Sequence, residues 1–432
     1  MSYSNEFIHP KDQIVDIMRR IYGYGMTTTS GGNLSILDGE GNIWISPGGV
    51  DKGSLTREDI VRIKPDGAVE GKHKPSSEFP FHKAIYQMRP DVKAILHAHP
   101  PALVSFSVAG RIPDTSIYPA AKTVCGIVGY APYEVPGSEA LGRSVARAFA
   151  EGHSTILLEN HGACTAGATL LEAFQRFETL DFCARLINNA IRLGTPHSLT
   201  PTEIEFHALD RNAEFRPFDV SGRTSKEIEL RTQMVNLIHR AYRQRLFIST
   251  EGAFAVRLDA ESFLVSPYGI DRGSLAPEDL VLVRGRRYES GKVLSKAAWF
   301  FKEIFDAQPE LKSVIAAQPP YLMGYAVSHE KFDPRVIPES YIMLREVPVF
   351  PFGEHFRGVD KVARTISPRY PVAIIENDAV ISVGRTLIES FDRLEVAEYS
   401  AKATISAAAL GGMKPIGDDQ IADLVKAFHL IP

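Results

Sequence analysis

Residues 91–101 read Asp-Val-Lys-Ala-Ile-Leu-His-Ala-His-Pro-Pro, an apolar run that ends in His97 and His99 and is stopped at once by prolines. In a strand, side chains alternate with period two, so both imidazoles leave the same face. Two imidazoles at one strand end can reach a single cation. An isolated His-x-His can equally be a pair of core or surface histidines, so further ligands decide the matter. The chain offers Glu78 in Pro75-Ser76-Ser77-Glu78 and His161 in Glu159-Asn160-His161-Gly162. Three histidines with a carboxylate form a zinc-type ligand set.

Periodicity shows which elements must position these residues. Ile14, Ile17, Met18 and Ile21 recur at helical spacing and predict an amphipathic helix over 10–23. A glycine turn at 27–33 enters a strand, Asn-Ile-Trp-Ile-Ser (42–46) is a second strand, and 60–63 a third. A helix is expected from Pro75 to about Met88, with Phe79, Phe81, Ile85 and Met88 apolar, and the histidine strand follows it. A strand at 154–158 leads to His161, and 169–192 reads as a long amphipathic helix.

The second half repeats this order. Ile45–Leu55 (ISPGGVDKGSL) returns as Val265–Leu275 (VSPYGIDRGSL), Asp91–Pro101 as Glu310–Pro320, and Leu157–Gly162 as Ile374–Ala379. A repeat this long means duplicated domains, not a solenoid. The expected division is a first domain at 1–212, a linker at 213–225 with turn residues and no periodicity, and a second domain at 226–432. Mixed short strands and helices predict an α/β layered fold. The repeat also serves as an internal comparison. Opposite His97, His99, His161 and Glu78 stand Ala316, Gln318, Asp378 and Ala297. The candidate ligands vanish as a set while the surrounding apolar and turn residues persist. Histidines kept for packing would have no reason to disappear together with a carboxylate, so the first half is read as the metal-binding, active copy.

Composition narrows the classes. The chain has 432 residues, 44% apolar and 23% charged, with a net charge of −4. No basic block with interleaved aromatics suggests a nucleic-acid partner. No apolar run is long enough to span a bilayer. The N-terminal Met-Ser-Tyr-Ser-Asn-Glu-Phe lacks the features of a signal peptide. The three cysteines, Cys125, Cys164 and Cys183, are odd in number and scattered, as in a reduced cytoplasmic protein.

Together Gly31-Gly32-Asn33, Ser46-Pro47-Gly48-Gly49, Ser76-Ser77-Glu78, His97-Ala98-His99-Pro100 and Asn160-His161-Gly162, in this order and spacing, resemble the class II aldolase/adducin family. The resemblance covers the first half and, in degraded form, the second. It implies two tandem three-layer α/β/α domains with a central, mostly antiparallel sheet, and a cyclic tetramer with sites between neighbouring subunits. For this chain that means a homo-oligomer, either a dimer forming a four-domain ring or a larger tetramer. The implied activity is retro-aldol cleavage of a ketose phosphate or related hydroxy-keto compound through a metal-stabilised enediolate. Decarboxylation and 4-epimerisation share that intermediate, and a non-catalytic adducin-like interaction protein shares the fold. The implied cofactor is a divalent metal held by His97, His99 and His161. Zn²⁺ suits these ligands best, with Mn²⁺, Co²⁺ or Fe²⁺ also compatible. Glu78 would ligate the resting metal or act as the proton-transfer base.

Ser76 and Ser77 open a helix whose N-terminus favours an anion, or they simply cap it. Ser30, Asn33 and Gly49 fit the family's phosphate pocket, while Gly48 stands where sugar-phosphate aldolases often carry a hydroxyl residue. Tyr118 lies where the aldolases place a proton-donating tyrosine that serves a neighbouring site, although beside Pro119 it could equally pack. Its counterpart in the second half is Ile337, with Tyr341 nearby. Lys296, opposite Ser77, is either a weak anion contact or a solvated lysine.

Overall fold

The computed structural model describes residues 8–430, so the N-terminal stretch read above for a targeting segment lies outside the described residues. Two compact units result. Among the described residues, the first takes in 8–115 and 120–185; the second takes in 116–119 and 186–430.

In the first unit the strands are β1 (Asn33–Leu37), β2 (Ile43–Ile45), β3 (Val61–Ile63), β4 (Val69–Glu70), β5 (Ala94–Ala98), β6 (Gly129–Ala131), β7 (Thr155–Leu158) and β8 (Gly162–Gly167). They form one sheet in the order β4-β3-β2-β1-β5-β8-β7-β6. Every pairing is antiparallel except β6 with β7. Ile95 of β5 and Cys164 and Ala166 of β8 face the helices Phe79–Met88 and Glu139–Ala150, which bury Phe81, Ile85, Leu141, Val145 and Phe149 against them. Leu141, Val145 and Phe149 recur every fourth residue, which puts them on one helix stripe. Ser138 caps that helix by accepting from the Leu141 N–H at 3.1 Å. Phe149 is fully buried, so truncating it to alanine would cost about 3–5 kcal/mol. On the opposite face, Thr165 donates its hydroxyl to the Ala173 carbonyl at 2.8 Å and so ties β8 to the helix Leu170–Ile191. The helix Pro10–Gly23 joins this layer through Arg20, whose guanidinium lies 5.5 Å from the Phe174 ring centre. The result is helix on sheet on helix.

The second unit repeats the plan. Its strands are β9 (Arg216–Phe218), β10 (Ala253–Arg257), β11 (Ser262–Val265), β12 (Val281–Arg284), β13 (Arg287–Glu289), β14 (Ser313–Ala317), β15 (Val349–Phe350), β16 (Val372–Ile375) and β17 (Ala379–Gly384). Their order is β15-β16-β17-β14-β10-β11-β12-β13-β9. Only β15–β16 and β9–β13 are parallel; β9 comes from the 213–225 stretch. The helices Ala298–Ala307 and Val359–Thr365 bury Phe301, Ile304, Phe305 and Val362 on one face. On the other, Ser382 of β17 donates to the Ser390 carbonyl of the helix Leu387–Ala407 at 2.7 Å.

The register confirms the sequence repeat. Asn33 of β1 pairs with His97 of β5, and Ala253 of β10 pairs with Ala316 of β14. Both copies turn from their penultimate to their last central strand through an asparagine in the left-handed region, Asn160 (φ 49°) and Asn377 (φ 53°), a conformation asparagine tolerates better than most residues. Among the described residues no helix is long and apolar enough to cross a membrane.

Candidate metal centre

His97 is the penultimate residue of β5 and His99 lies just beyond the strand, so strand alternation sends both imidazoles to the face of the helix Phe79–Met88. His161 follows the left-handed Asn160, and its N–H bonds to the Leu158 carbonyl at 3.2 Å and to Ser107 Oγ at 3.1 Å. One ring nitrogen from each of His97, His99 and His161 lies within 4.8 Å of the others, a group a single cation can bridge. Glu78, at the N-cap of the helix, borders it. Its Oε2 is 3.4 Å from His97 Nε2 and its Oε1 is 3.3 Å from His161 Nε2. Oε1 is buried and, despite that approach, has no partner in hydrogen-bond geometry.

The donor set fits a divalent cation. His97 Nδ1 lies 2.9 Å from the Ala163 carbonyl, which can only accept, so Nδ1 carries the hydrogen and Nε2 presents a lone pair to the centre. His99 Nε2 faces that lone pair at 2.9 Å. Burial first, and then the neighbouring His161 imidazole, push His97 down to about 3. Burial, then His97 and His161, do the same to His99, also to about 3. Both rings are therefore neutral at pH 7, the form that ligates metal.

Two glycines keep space for this group. A Cβ at Gly31 would come 2.9 Å from His99 Nδ1, and one at Gly162 would come 2.6 Å from His99 Cδ2 and from the Ala98 carbonyl oxygen. The second copy has Glu251 and Ala379 at these places.

The residues expected to bind phosphate divide. An isolated bridge between Pro47 and Pro75, with the Gly48 N–H donating to the Lys74 carbonyl at 3.2 Å, sets the 46–49 turn beside Ser76 and Ser77. The Lys52 N–H donates to the Thr29 carbonyl at 2.9 Å, which brings Ser30 to the same end of the sheet. Ser30, Gly49 and Ser77 are exposed. Ser76 is buried and its Oγ accepts from the N–H of the N-cap residue Glu78 at 3.3 Å. Asn33 is engaged differently from the expectation. Its Nδ2 donates to Glu78 Oε2 at 2.6 Å, and its Oδ1 accepts from His82 Nε2. That bond to His82 belongs to a buried chain that also includes Ser35 and Tyr86. Sequence reading passed over these residues, although the spacing Glu78, His82, Tyr86 marks one helix face.

Tyr118 groups with the second unit. It is buried and donates its hydroxyl to Glu251 Oε2 at 3.2 Å. Burial and the Glu251 carboxylate push the Tyr118 phenol well above its ordinary value. Ile337 caps the helix Pro338–Leu344, and the Lys296 ammonium sits 4.9 Å from the Tyr268 ring centre. At the place of His161, Asp378 is buried, with Oδ1 3.3 Å from His207 Nε2 and Oδ2 3.0 Å from His355 Nε2. Burial alone would raise the Asp378 carboxyl, but His207 and His355 outweigh it and hold it well below its usual range.

Comparison with known proteins identifies the family. The family model described as "Class II Aldolase and Adducin N-terminal domain" matches residues 12–187 and again 232–405, so the chain belongs to this family and carries its domain twice. The chain is 31% identical over 201 residues to a 5-deoxy-D-ribulose 1-phosphate aldolase of Bacillus thuringiensis serovar kurstaki, covering 45% of this chain and 92% of that protein. It is 33% identical over 177 residues to an L-fuculose phosphate aldolase of Methanocaldococcus jannaschii, covering 41% of this chain and 94% of that protein. A 3-oxo-tetronate 4-phosphate decarboxylase of Haemophilus influenzae is 32% identical over 180 residues, covering 41% of this chain and 85% of that protein.

Proposed function

We propose that the first copy is a divalent-metal-dependent lyase that breaks a carbon–carbon bond next to a carbonyl in a small phosphorylated hydroxy-keto compound, by retro-aldol cleavage. The observation that carries this reading is the convergence of His97, His99 and His161 within 4.8 Å, with the unpartnered Glu78 Oε1 beside them. Cleavage of such a bond leaves an enediolate, and its negative charge needs a sink. The imidazoles of His97, His99 and His161 would hold a divalent cation, which would supply that sink as a Lewis acid. Glu78 is placed to move the proton, because Oε2 is tied to Asn33 while Oε1 faces His161 without a hydrogen-bond partner. The exposed Ser30, Gly49 and Ser77 offer hydroxyl and backbone donors for a phosphate at the same end of the sheet. No role in this mechanism is assigned to Tyr118, whose hydroxyl is committed to Glu251.

The names of the relatives support both an aldolase and a decarboxylase, and the ligand set serves either. The deciding experiment incubates the purified full chain with 5-deoxy-D-ribulose 1-phosphate, L-fuculose 1-phosphate and 3-oxo-tetronate 4-phosphate, and measures aldehyde and carbon dioxide separately. Aldehyde release that stops with chelator and returns with added metal supports the proposal. Carbon dioxide release without aldehyde moves the chain to the decarboxylases. Turnover that survives chelation and His97→Ala sinks the metal-dependent reading.

A further inference from the structure

Behind Glu78 runs a chain of buried polar side chains with no counterpart in the second copy. Tyr86 OH lies 2.7 Å from Ser35 Oγ, which lies 2.7 Å from His82 Nδ1. His82 Nε2 lies 2.5 Å from Asn33 Oδ1, and Asn33 Nδ2 lies 2.6 Å from Glu78 Oε2. Ser35 and His82 are 0% exposed, Asn33 2%, and Tyr86 and Glu78 7%. We propose that Tyr86, Ser35, His82 and Asn33 are positioning residues that fix the Glu78 carboxylate, holding Oε2 and leaving Oε1 for the cation and the substrate proton. This rests on the first copy's reading as a metal site.

The chemistry of the donors sets one direction along the whole chain. A carboxylate accepts only, so Asn33 must turn its NH₂ to Glu78 and its carbonyl to His82. His82 then has to donate from Nε2, which leaves Nδ1 as an acceptor for the Ser35 hydroxyl. The Ser35 oxygen in turn accepts from Tyr86 OH. No donor in the series has an alternative role that keeps its neighbours satisfied, and in a buried network a half-satisfied arrangement is costly. The carboxylate therefore has one oxygen pinned by a short, charge-assisted bond, while the other is without a hydrogen-bond partner.

The second copy shows that the fold does not need these groups. At the positions of Asn33, Ser35, Glu78, His82 and Tyr86 it has Ala253, Ala255, Ala297, Phe301 and Phe305. Four of them, Ala253, Ala255, Phe301 and Phe305, belong to its apolar core, and Ala297 packs against it. The polar chain and the histidine ligands are present together or absent together. Packing cannot explain that pattern, because alanine and phenylalanine pack in the same places. A role in orienting Glu78 explains it.

The test is a double-mutant cycle on the full chain, stripped of metal and titrated with Zn²⁺ against a competing chelator. Asn33→Ala should weaken Zn²⁺ binding about 10–100-fold, the usual range for outer-shell partners. In a Glu78→Ala background the same change should have almost no effect, because the group it positions is gone. Equal weakening in both backgrounds, or none in either, overturns the proposal. Tyr86→Phe, which deletes one oxygen, should fold and show a smaller loss in the same direction. Nitrogen-15 NMR of the imidazoles gives a second readout: His82 should be neutral and protonated on Nε2, and a proton on Nδ1 would contradict the chain's direction. Failure of the underlying metal reading looks different, since His97→Ala would then leave Zn²⁺ binding unchanged.

Discussion

The same strand register carries two different interiors. In the first copy, His97, His99, His161 and Glu78 face one another over space kept by Gly31 and Gly162. In the second, those places hold Ala316, Gln318, Asp378 and Ala297, and Glu251 and Ala379 stand where the glycines were. The one ionisable side chain at these four positions, Asp378, is flanked by His207 and His355. The second site has lost its ligands and also the space they would need. The sheet order, the asparagine turns and the layering persist regardless, so the fold does not depend on the proposed ligands.

The largest expected effect follows from removing a ligand. His97→Ala, assayed on whichever probe the wild type turns over, should lower kcat/KM by about 10³-fold or more, given the several kcal/mol of charge stabilisation a metal supplies. Circular dichroism should show the fold retained, because the second copy packs with Ala316 at that place.

The converse exchange sharpens the contrast. Ala316→His, Gln318→His and Asp378→His together restore the imidazoles to the second copy but leave Glu251 and Ala379 in place. Metal analysis should still find about one ion per chain, as expected for a site that needs both ligands and room. Two ions per chain would show that ligands alone separate the copies. In the first copy, Gly162→Ala should cut metal affinity and cost about 1–3 kcal/mol of stability, the range for overpacking, because its Cβ meets backbone at 2.6 Å.

A block exchange tests what the buried polar chain does for stability. Converting Asn33, Ser35, Glu78, His82 and Tyr86 to the second copy's Ala, Ala, Ala, Phe and Phe should leave the melting temperature of the metal-free protein unchanged or raise it. Replacing both partners of buried hydrogen bonds by apolar groups that pack can be nearly neutral or stabilising. A fall of several degrees would mean that the chain holds the first copy together.

Acid should separate the copies more gently. Burial, then His97, push His82 down to about 3, and His97 and His99 are lowered likewise. These groups are neutral in the fold but take up protons when unfolded, so stability is full above the unfolded value near 6.5 and falls as pH drops towards 3. The expected slope is about 1.4 kcal/mol per pH unit for each group. The second copy's Asp378 is depressed, so its contribution is present above the unfolded carboxylate value and lost only as pH falls through its lower folded one. His207 is raised by Asp378 against its burial, so its share is intact below 6.5 and lost as pH rises through the folded value. Hydrogen exchange on metal-free protein at pH 7 and pH 5 should therefore show the first copy losing protection first.

Much of this was legible in the residues. The helix Pro10–Gly23, the histidine strand and the long helix Leu170–Ile191 follow from apolar periodicity. The repeat exposed the ligand set because both copies share one register. What stayed hidden depends on contacts between distant segments. Asn33 suits a phosphate pocket by type, yet Glu78 and His82 use both ends of its amide. Tyr118 lies within the first repeat by order, yet packs with the second unit against Glu251. His82 and Tyr86 carry no motif of their own, and only the fold brings Ser35 between them. Setting them beside Phe301 and Phe305 would have raised the question from sequence alone.

The first copy is proposed as active and the second as silent, and a metal titration tests that directly. Zn²⁺ added to the stripped full chain, followed calorimetrically, should bind tightly at about one equivalent per chain, vanish with His97→Ala, and be unaffected by Asp378→Asn. Two tight equivalents, or a single one that survives His97→Ala and disappears with Asp378→Asn, would contradict it.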